Sequence, residues 1–106
     1  MLDPEIEEGC IEYKRYIIDK DDKRLEELAS QMKWRLAEGN GLCVYYLGVN
    51  DDGNFYDWDE EIKKESLKNL IDIISEVNAK IKYILEFNTG YKVKIYSDNY
   101  KSDFLW

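Results

Sequence analysis

A chain of 106 residues with 44% hydrophobic side chains suits one domain with its own core and is short for two. Fifteen Lys and Arg against 23 Asp and Glu leave a formal charge of -8, which repels a phosphate backbone and weighs against nucleic-acid binding by the surface as a whole. With no histidine, the chain lacks the commonest general base, the Ser-His-Asp and Cys-His arrangements and the usual zinc and iron ligands. Cys10 and Cys43 fit neither a disulfide framework nor a metal-ligand pattern. No apolar run approaches the roughly 20 residues of a membrane span, and Met1 to Glu8 is acidic rather than signal-like. The expectation is a reduced, cytoplasmic protein with no membrane contact.

Residues 1–9, with Pro4 and a run of acids, read as a solvated lead-in, and residues 10–106 as a single α+β domain. From Ile11 to Ile18 the β-branched and aromatic run IEYKRYII predicts a strand with Ile11, Tyr13 and Ile17 on one side. Arg15 interrupts that face, which places the strand at an edge or near an end. Asp19 to Asp22 is a polar turn. Leu25, Leu28, Met32 and Leu36, with Ala29 between them, then form one apolar stripe of a helix from Lys23 to about Glu38. Asp21 or Asp22 caps its start, and Glu38-Gly39 followed by Asn40-Gly41 stops it. The near-continuous apolar run Leu42 to Val49 predicts a strand buried on both faces. Asn50-Asp51-Asp52-Gly53 makes a tight turn, and Asn54 to Tyr56 returns as a short strand.

A second helix begins near Trp58 or Asp59, capped by Asp57 or Asp59, and its stripe is Leu67, Leu70, Ile71, Ile74 and Val77. Lys80 to Phe87 alternates, with Ile81, Tyr83, Leu85 and Phe87 on one side. After a turn at Asn88-Thr89-Gly90, Tyr91, Val93 and Ile95 repeat the pattern. The order β-α-β-(β)-α-β-β predicts a two-layer α/β sandwich: a mixed sheet of four to five strands with two helices on one face. Its first βαβ unit crosses over right-handed between parallel strands, and its last two strands form an antiparallel hairpin.

The candidate binding residues lie on the first helix: Gln31, Lys33, Trp34, Arg35 and Glu38. At about 100° per residue Trp34 falls opposite Leu25, on the polar face, with Glu27, Gln31 and Glu38 around it. A tryptophan there suits a partner interface, although a neighbouring loop or chain terminus covering the ring would explain it equally. Lys33 and Arg35 flank the stripe and read as solvated surface. Asp51 and Asp52 lack the oxygen spacing of a calcium loop, and Asp57, Asp59, Glu60 and Glu61 sit where a helix start favours acids. Gly39-Asn40-Gly41 is too short to cradle a phosphate. Tyr91, Lys92, Lys94 and Tyr96 alternate aromatic and basic residues in a pattern able to stack bases, against the field of an acidic chain. No residue is assigned a catalytic or metal-binding role, and no cofactor is expected for the chain itself.

GCIEYK (Gly9 to Lys14), RLEELASQMKWRLAEGNG (Arg24 to Gly41) and VYYLGVNDDG (Val44 to Gly53) resemble, in order and spacing, the N-terminal region of the GTP-binding-protein-one family of elongation-factor-like translational GTPases. ESLKNL (Glu65 to Leu70) also fits. From Ala79 the match is looser, though YKVKIYSDN and the terminal DFLW look like the approach to that family's GTPase domain. The resemblance implies a non-catalytic N-terminal accessory domain, ending where a GTPase domain absent from this chain begins. GTP and magnesium are expected only for that missing G domain. The partners implied are the ribosome, tRNA or mRNA, or the parent's own G domain, in the cytoplasm. An alternative is a protein-interaction module that recruits mRNA-decay or quality-control factors. A shorter likeness, through GV-x-D-x-G, is to the nucleic-acid-associated domain of Schlafen-type proteins. An activity of that type would need Asp51, Asp52, Asp57 and Asp59 around a metal.

Overall fold

The computed structural model describes residues 10–17, 21–54 and 59–100. Within them the chain runs β1 (Ile11–Lys14), α1 (Asp22–Glu38), β2 (Leu42–Leu47), α2 (Glu60–Glu76), β3 (Lys80–Phe87) and β4 (Gly90–Tyr96), with a 3-10 turn at Asp98–Tyr100. The lead-in, Ile18, the return strand beyond Asn54 and the terminal DFLW lie outside the described residues.

Each helix starts on a carboxylate three residues ahead of the amide that it holds. Asp21 accepts from Arg24 N–H at 2.8 Å and Asp59 from Ile62 N–H at 2.9 Å, which satisfies one orphan donor at each start. Gly39 ends α1, and the left-handed Asn40 (φ 53°) and Gly41 (φ 95°) turn the chain into β2.

The four strands make one mixed sheet in the order β1-β2-β4-β3, with β1 parallel to β2 and the other pairs antiparallel. This is the expected α+β two-layer sandwich, and β1 stands at an edge. Leu28, Met32 and Leu36 of α1, Leu70, Ile73 and Ile74 of α2 and Val77 at its C-cap pack in one core with Cys43, Tyr45, Leu47, Tyr91, Val93 and Ile95 of the sheet. Both helices therefore cover the same face.

Four expectations about faces need correction. In β1 register sets Ile11 and Tyr13 beside Val44 and Tyr46, away from the helices, whereas Ile17, beyond the strand, joins the core under the helices. β2 is buried on one side only: Cys43, Tyr45 and Leu47 are buried, whereas Leu42 is exposed and Val44 and Tyr46 are partly so. In β3 a bulge between Ile81 and Tyr83 sets Ile81 beside Ile95, on the helix side, and Tyr83 beside Lys94, on the other. One extra residue moves the rest of the strand to the opposite face, so Ile81 does not share a side with Tyr83, Leu85 and Phe87. On α2, Ile71 is exposed and Ile73 takes its place in the core.

The buried face of α2 begins with polar residues, Lys63, Ser66 and Asn69, which an apolar stripe cannot reveal. Ser66 Oγ accepts from Ile17 N–H at 2.7 Å, and Asn69 Nδ2 donates to the Ile17 carbonyl at 2.6 Å. The backbone leaving β1 is thus satisfied by two side chains one helical turn apart. At the far end of the sheet β2 and β4 approach too closely for a side chain. Gly48 has φ +84°, and a Cβ on Gly90 would lie 1.8 Å from the Leu47 carbonyl oxygen.

Asn69→Ala is expected to leave the Ile17 carbonyl unsatisfied in the core and to cost about 1–3 kcal/mol in a denaturant titration. Burial first, then the neighbouring Cys10 thiol, pushes the Cys43 thiol up to about 12. A folded pKa above the unfolded value stabilises below the unfolded pKa and loses that contribution as pH rises. Stability should therefore decline between about pH 9 and 12, and decline less in Cys43→Ala. In the native protein at neutral pH a thiol reagent should modify half-buried Cys10 and spare Cys43.

Candidate functional site

The five residues singled out on α1 separate once the helix is packed. Gln31 is half-buried and Lys33, Trp34 and Glu38 are exposed, whereas Arg35 is only 2% exposed. The expectation of a solvated Arg35 is corrected by its partner. Its Nε and Nη2 both donate to Glu12 Oε2, at 3.0 and 2.7 Å, and Lys14 Nζ lies 3.5 Å from Glu12 Oε1. Arg35 stands seven residues from Leu28, on the border of the apolar stripe, and Glu12 stands between Ile11 and Tyr13 of β1. A cation bordering an apolar stripe and an acid between two large apolar side chains are the signal in the sequence for a buried pair.

Trp34 is 42% exposed, and the Arg35 guanidinium carbon lies 4.7 Å from its ring centroid. The ring shields the cation that holds Glu12 and leaves the rest of its surface to solvent. Lys33 turns elsewhere, into an open groove of about 800 Å³ between the helices, which Asp22, Glu26, Asp72 and Glu76 make acidic. The α1 candidates thus form a Trp34 corner and a separate Lys33 groove.

A second ion pair fastens the other helix to the other edge strand. Lys63 Nζ on α2 lies 2.8 Å from Glu86 Oε2 on β3, 3.7 Å from Glu60 Oε1 and 5.2 Å from the Tyr91 ring centroid. The hydrogen bond to Glu86 holds the Lys63 ammonium above the usual lysine range. Glu12 and Glu86 are the two acids of the four strands, and both are engaged by helix cations.

The sheet face away from the helices has a different chemistry. Cross-strand register aligns Tyr46 with Lys92, then Val44 and Tyr83 with Lys94, then Leu42 and Lys80 with Tyr96. Lys92 Nζ lies 5.8 Å from the ring centroids of both Tyr46 and Tyr83, and hydrogen bonding to Tyr83 first, then charge and hydrogen bonding at Tyr46, holds it above the usual lysine range. Tyr13 meets Tyr46 edge-on at 5.5 Å and is itself buried. Of the aromatic-basic pattern in β4, Lys92, Lys94 and Tyr96 lie on this face, whereas Tyr91 turns into the core. Period-two alternation separates Tyr91 from its neighbours once one face is buried.

The acidic turn has local roles. Asp52 accepts from the Asn54 backbone N–H at 2.9 Å and from its side-chain amide at 3.0 Å, and Asp59 caps α2. Among the described residues no group of three or more His, Cys, Asp or Glu side chains is placed to hold a metal ion. Asp57 lies outside those residues.

Over 90 residues, 85% of this chain, the sequence is 42% identical to GTP-binding protein 2 of human and of mouse. That similarity supports a relationship to the GTP-binding protein family, and the aligned segment spans 15% of GTP-binding protein 2. Over 81 residues, 76% of this chain, it is 35% identical to uncharacterized protein R625 of Acanthamoeba polyphaga mimivirus, covering 44% of that protein. The same stretch is thus a small part of GTP-binding protein 2 and almost half of the viral protein. No protein-family model and no solved structure matches the chain.

Arg35→Met is expected to leave the buried Glu12 carboxylate with only the longer Lys14 contact and to cost about 3 kcal/mol in a denaturant titration. Glu12→Leu combined with Arg35→Met removes both charges and should recover most of that loss.

Proposed function

We propose that this chain is a non-catalytic accessory domain of an elongation-factor-like translational GTPase, N-terminal to the G domain, that binds RNA, the ribosome or that G domain. The observation that carries this reading is the 42% identity to GTP-binding protein 2 over a segment amounting to 15% of it. The sequence holds no GxxxxGK[ST] loop to cradle a nucleotide triphosphate, so its contribution to such a protein is a binding one. GTP and magnesium belong to the G domain of the parent, and the setting is the cytoplasm. Recurrence of the segment as 44% of a viral protein fits a portable module.

A second reading, a protein-interaction module that recruits mRNA-decay or quality-control factors, draws on Trp34. A large ring left 42% exposed on a helix is the side chain that anchors a desolvated interface.

Co-sedimentation of the chain with ribosomes, and titration against tRNA and the G domain of GTP-binding protein 2, test the first reading. Association with at least one of them is expected, and for RNA it should weaken steeply with salt. Association with a decay factor that is insensitive to salt and lost in Trp34→Ala would favour the second reading. If the chain binds neither ribosome, RNA nor G domain, the first reading fails.

A further inference from the structure

The helix layer and the open sheet face divide the charge of the molecule between them. The two acids of the strands face the helices and are held by Arg35 and Lys63. The strand positions that face away from the helices carry Lys80, Lys92 and Lys94 and no carboxylate. An overall charge of -8 therefore conceals a cationic face.

We propose that this open face is a binding surface for single-stranded RNA, with bases stacked on Tyr46, Tyr83 and Tyr96 and phosphates held by Lys92, Lys94 and Lys80. The inference rests on the accessory-domain reading and names the surface and the ligand for it.

Register carries the argument. Tyr46 pairs with Lys92, Tyr83 with Lys94, and Tyr96 with Lys80, so three successive rows across the sheet each set a ring beside an ammonium, and the first also holds the buried Tyr13. Rows two residues apart are separated by about 6.6 Å along the strands, a step comparable to that between phosphates of an extended single strand. All three rings are partly exposed, and so are Lys92 and Lys94. A ring presents a π-face that any base can use, and a lysine beside it neutralises the phosphate of the same nucleotide. A duplex hides its base faces by stacking and cannot use the rings. At the Tyr96 end the face runs into a recess of about 180 Å³ lined by Asn78, Lys80, Ser97, Asp98 and Asn99, whose asparagine amides can meet the edge of a base.

The test is fluorescence anisotropy of the full chain with labelled oligo-uridylate and with an RNA duplex. The single strand should bind at low salt and the duplex much more weakly. Tyr83→Ala and Tyr96→Ala should each weaken single-strand binding by roughly tenfold, whereas Tyr83→Phe and Tyr96→Phe, which keep the ring, should bind normally. Lys92→Ala and Lys94→Ala should each lower the slope of log K against log salt by about 0.7, and Lys68→Ala on α2 should leave it unchanged. Circular dichroism of every variant checks that the fold is retained.

Equal binding of the duplex, or undiminished binding by a folded Tyr83→Ala/Tyr96→Ala double variant, would overturn the inference. Binding to ribosomes or to the G domain that ignores these tyrosines would do the same while leaving the accessory-domain reading intact. Failure to bind any of them would remove both.

Discussion

Two helices can cover one face of a four-stranded sheet and no more, and the rest of the molecule follows from that limit. Strands about 4.8 Å apart make a sheet roughly 19 Å wide, and two helices packed 8–10 Å apart span about the same width. With α1 and α2 both on one side, alternate residues of β2 and β4 go into the core and the others do not. Helix caps, the bulge in β3 and the glycines between β2 and β4 all serve to hold that single layer in register.

The same limit sorts the charges. Carboxylates crowd the outer surface of the helices, where α1 and α2 begin on aspartates and line an acidic groove. A layer of helix about 10 Å thick stands between those acids and the far side of the sheet. The lysines of the far side stand on it, whereas those acids lie at least that thickness away, and Coulomb interactions weaken with distance. An acidic total is therefore a poor guide to what this face attracts.

Ion pairs at the two edges of the sheet set how the helices sit. Arg35 ties α1 to β1 through Glu12, and Lys63 ties α2 to β3 through Glu86. The first pair is dry, so it contributes specificity of placement more than net stability. Trp34 lies over it, which links the most exposed ring of α1 to a buried charge and gives that tryptophan a structural role alongside any partner. The Lys63 pair is open on its glutamate side and therefore weaker.

Much of this was legible in the residues themselves. The order of elements, the caps, the stripe of α1 and the alternation of Tyr91, Val93 and Ile95 are local signals set by helical and strand periods, and the structure contains them. The similarity to GTP-binding protein 2, 42% identity over 90 residues, is likewise a property of the linear sequence. Polar core residues and face assignments were beyond such a reading. Ser66 and Asn69 are buried because the Ile17 backbone needs them, Arg35 because Glu12 lies across from it, and Tyr83 changes side because of one bulged residue. Each depends on a partner far away in the chain, and period counting sees only neighbours. The basic and aromatic residues of β3 and β4 could be read in order, but which of them share a surface was decided by strand pairing and by which face the helices cover.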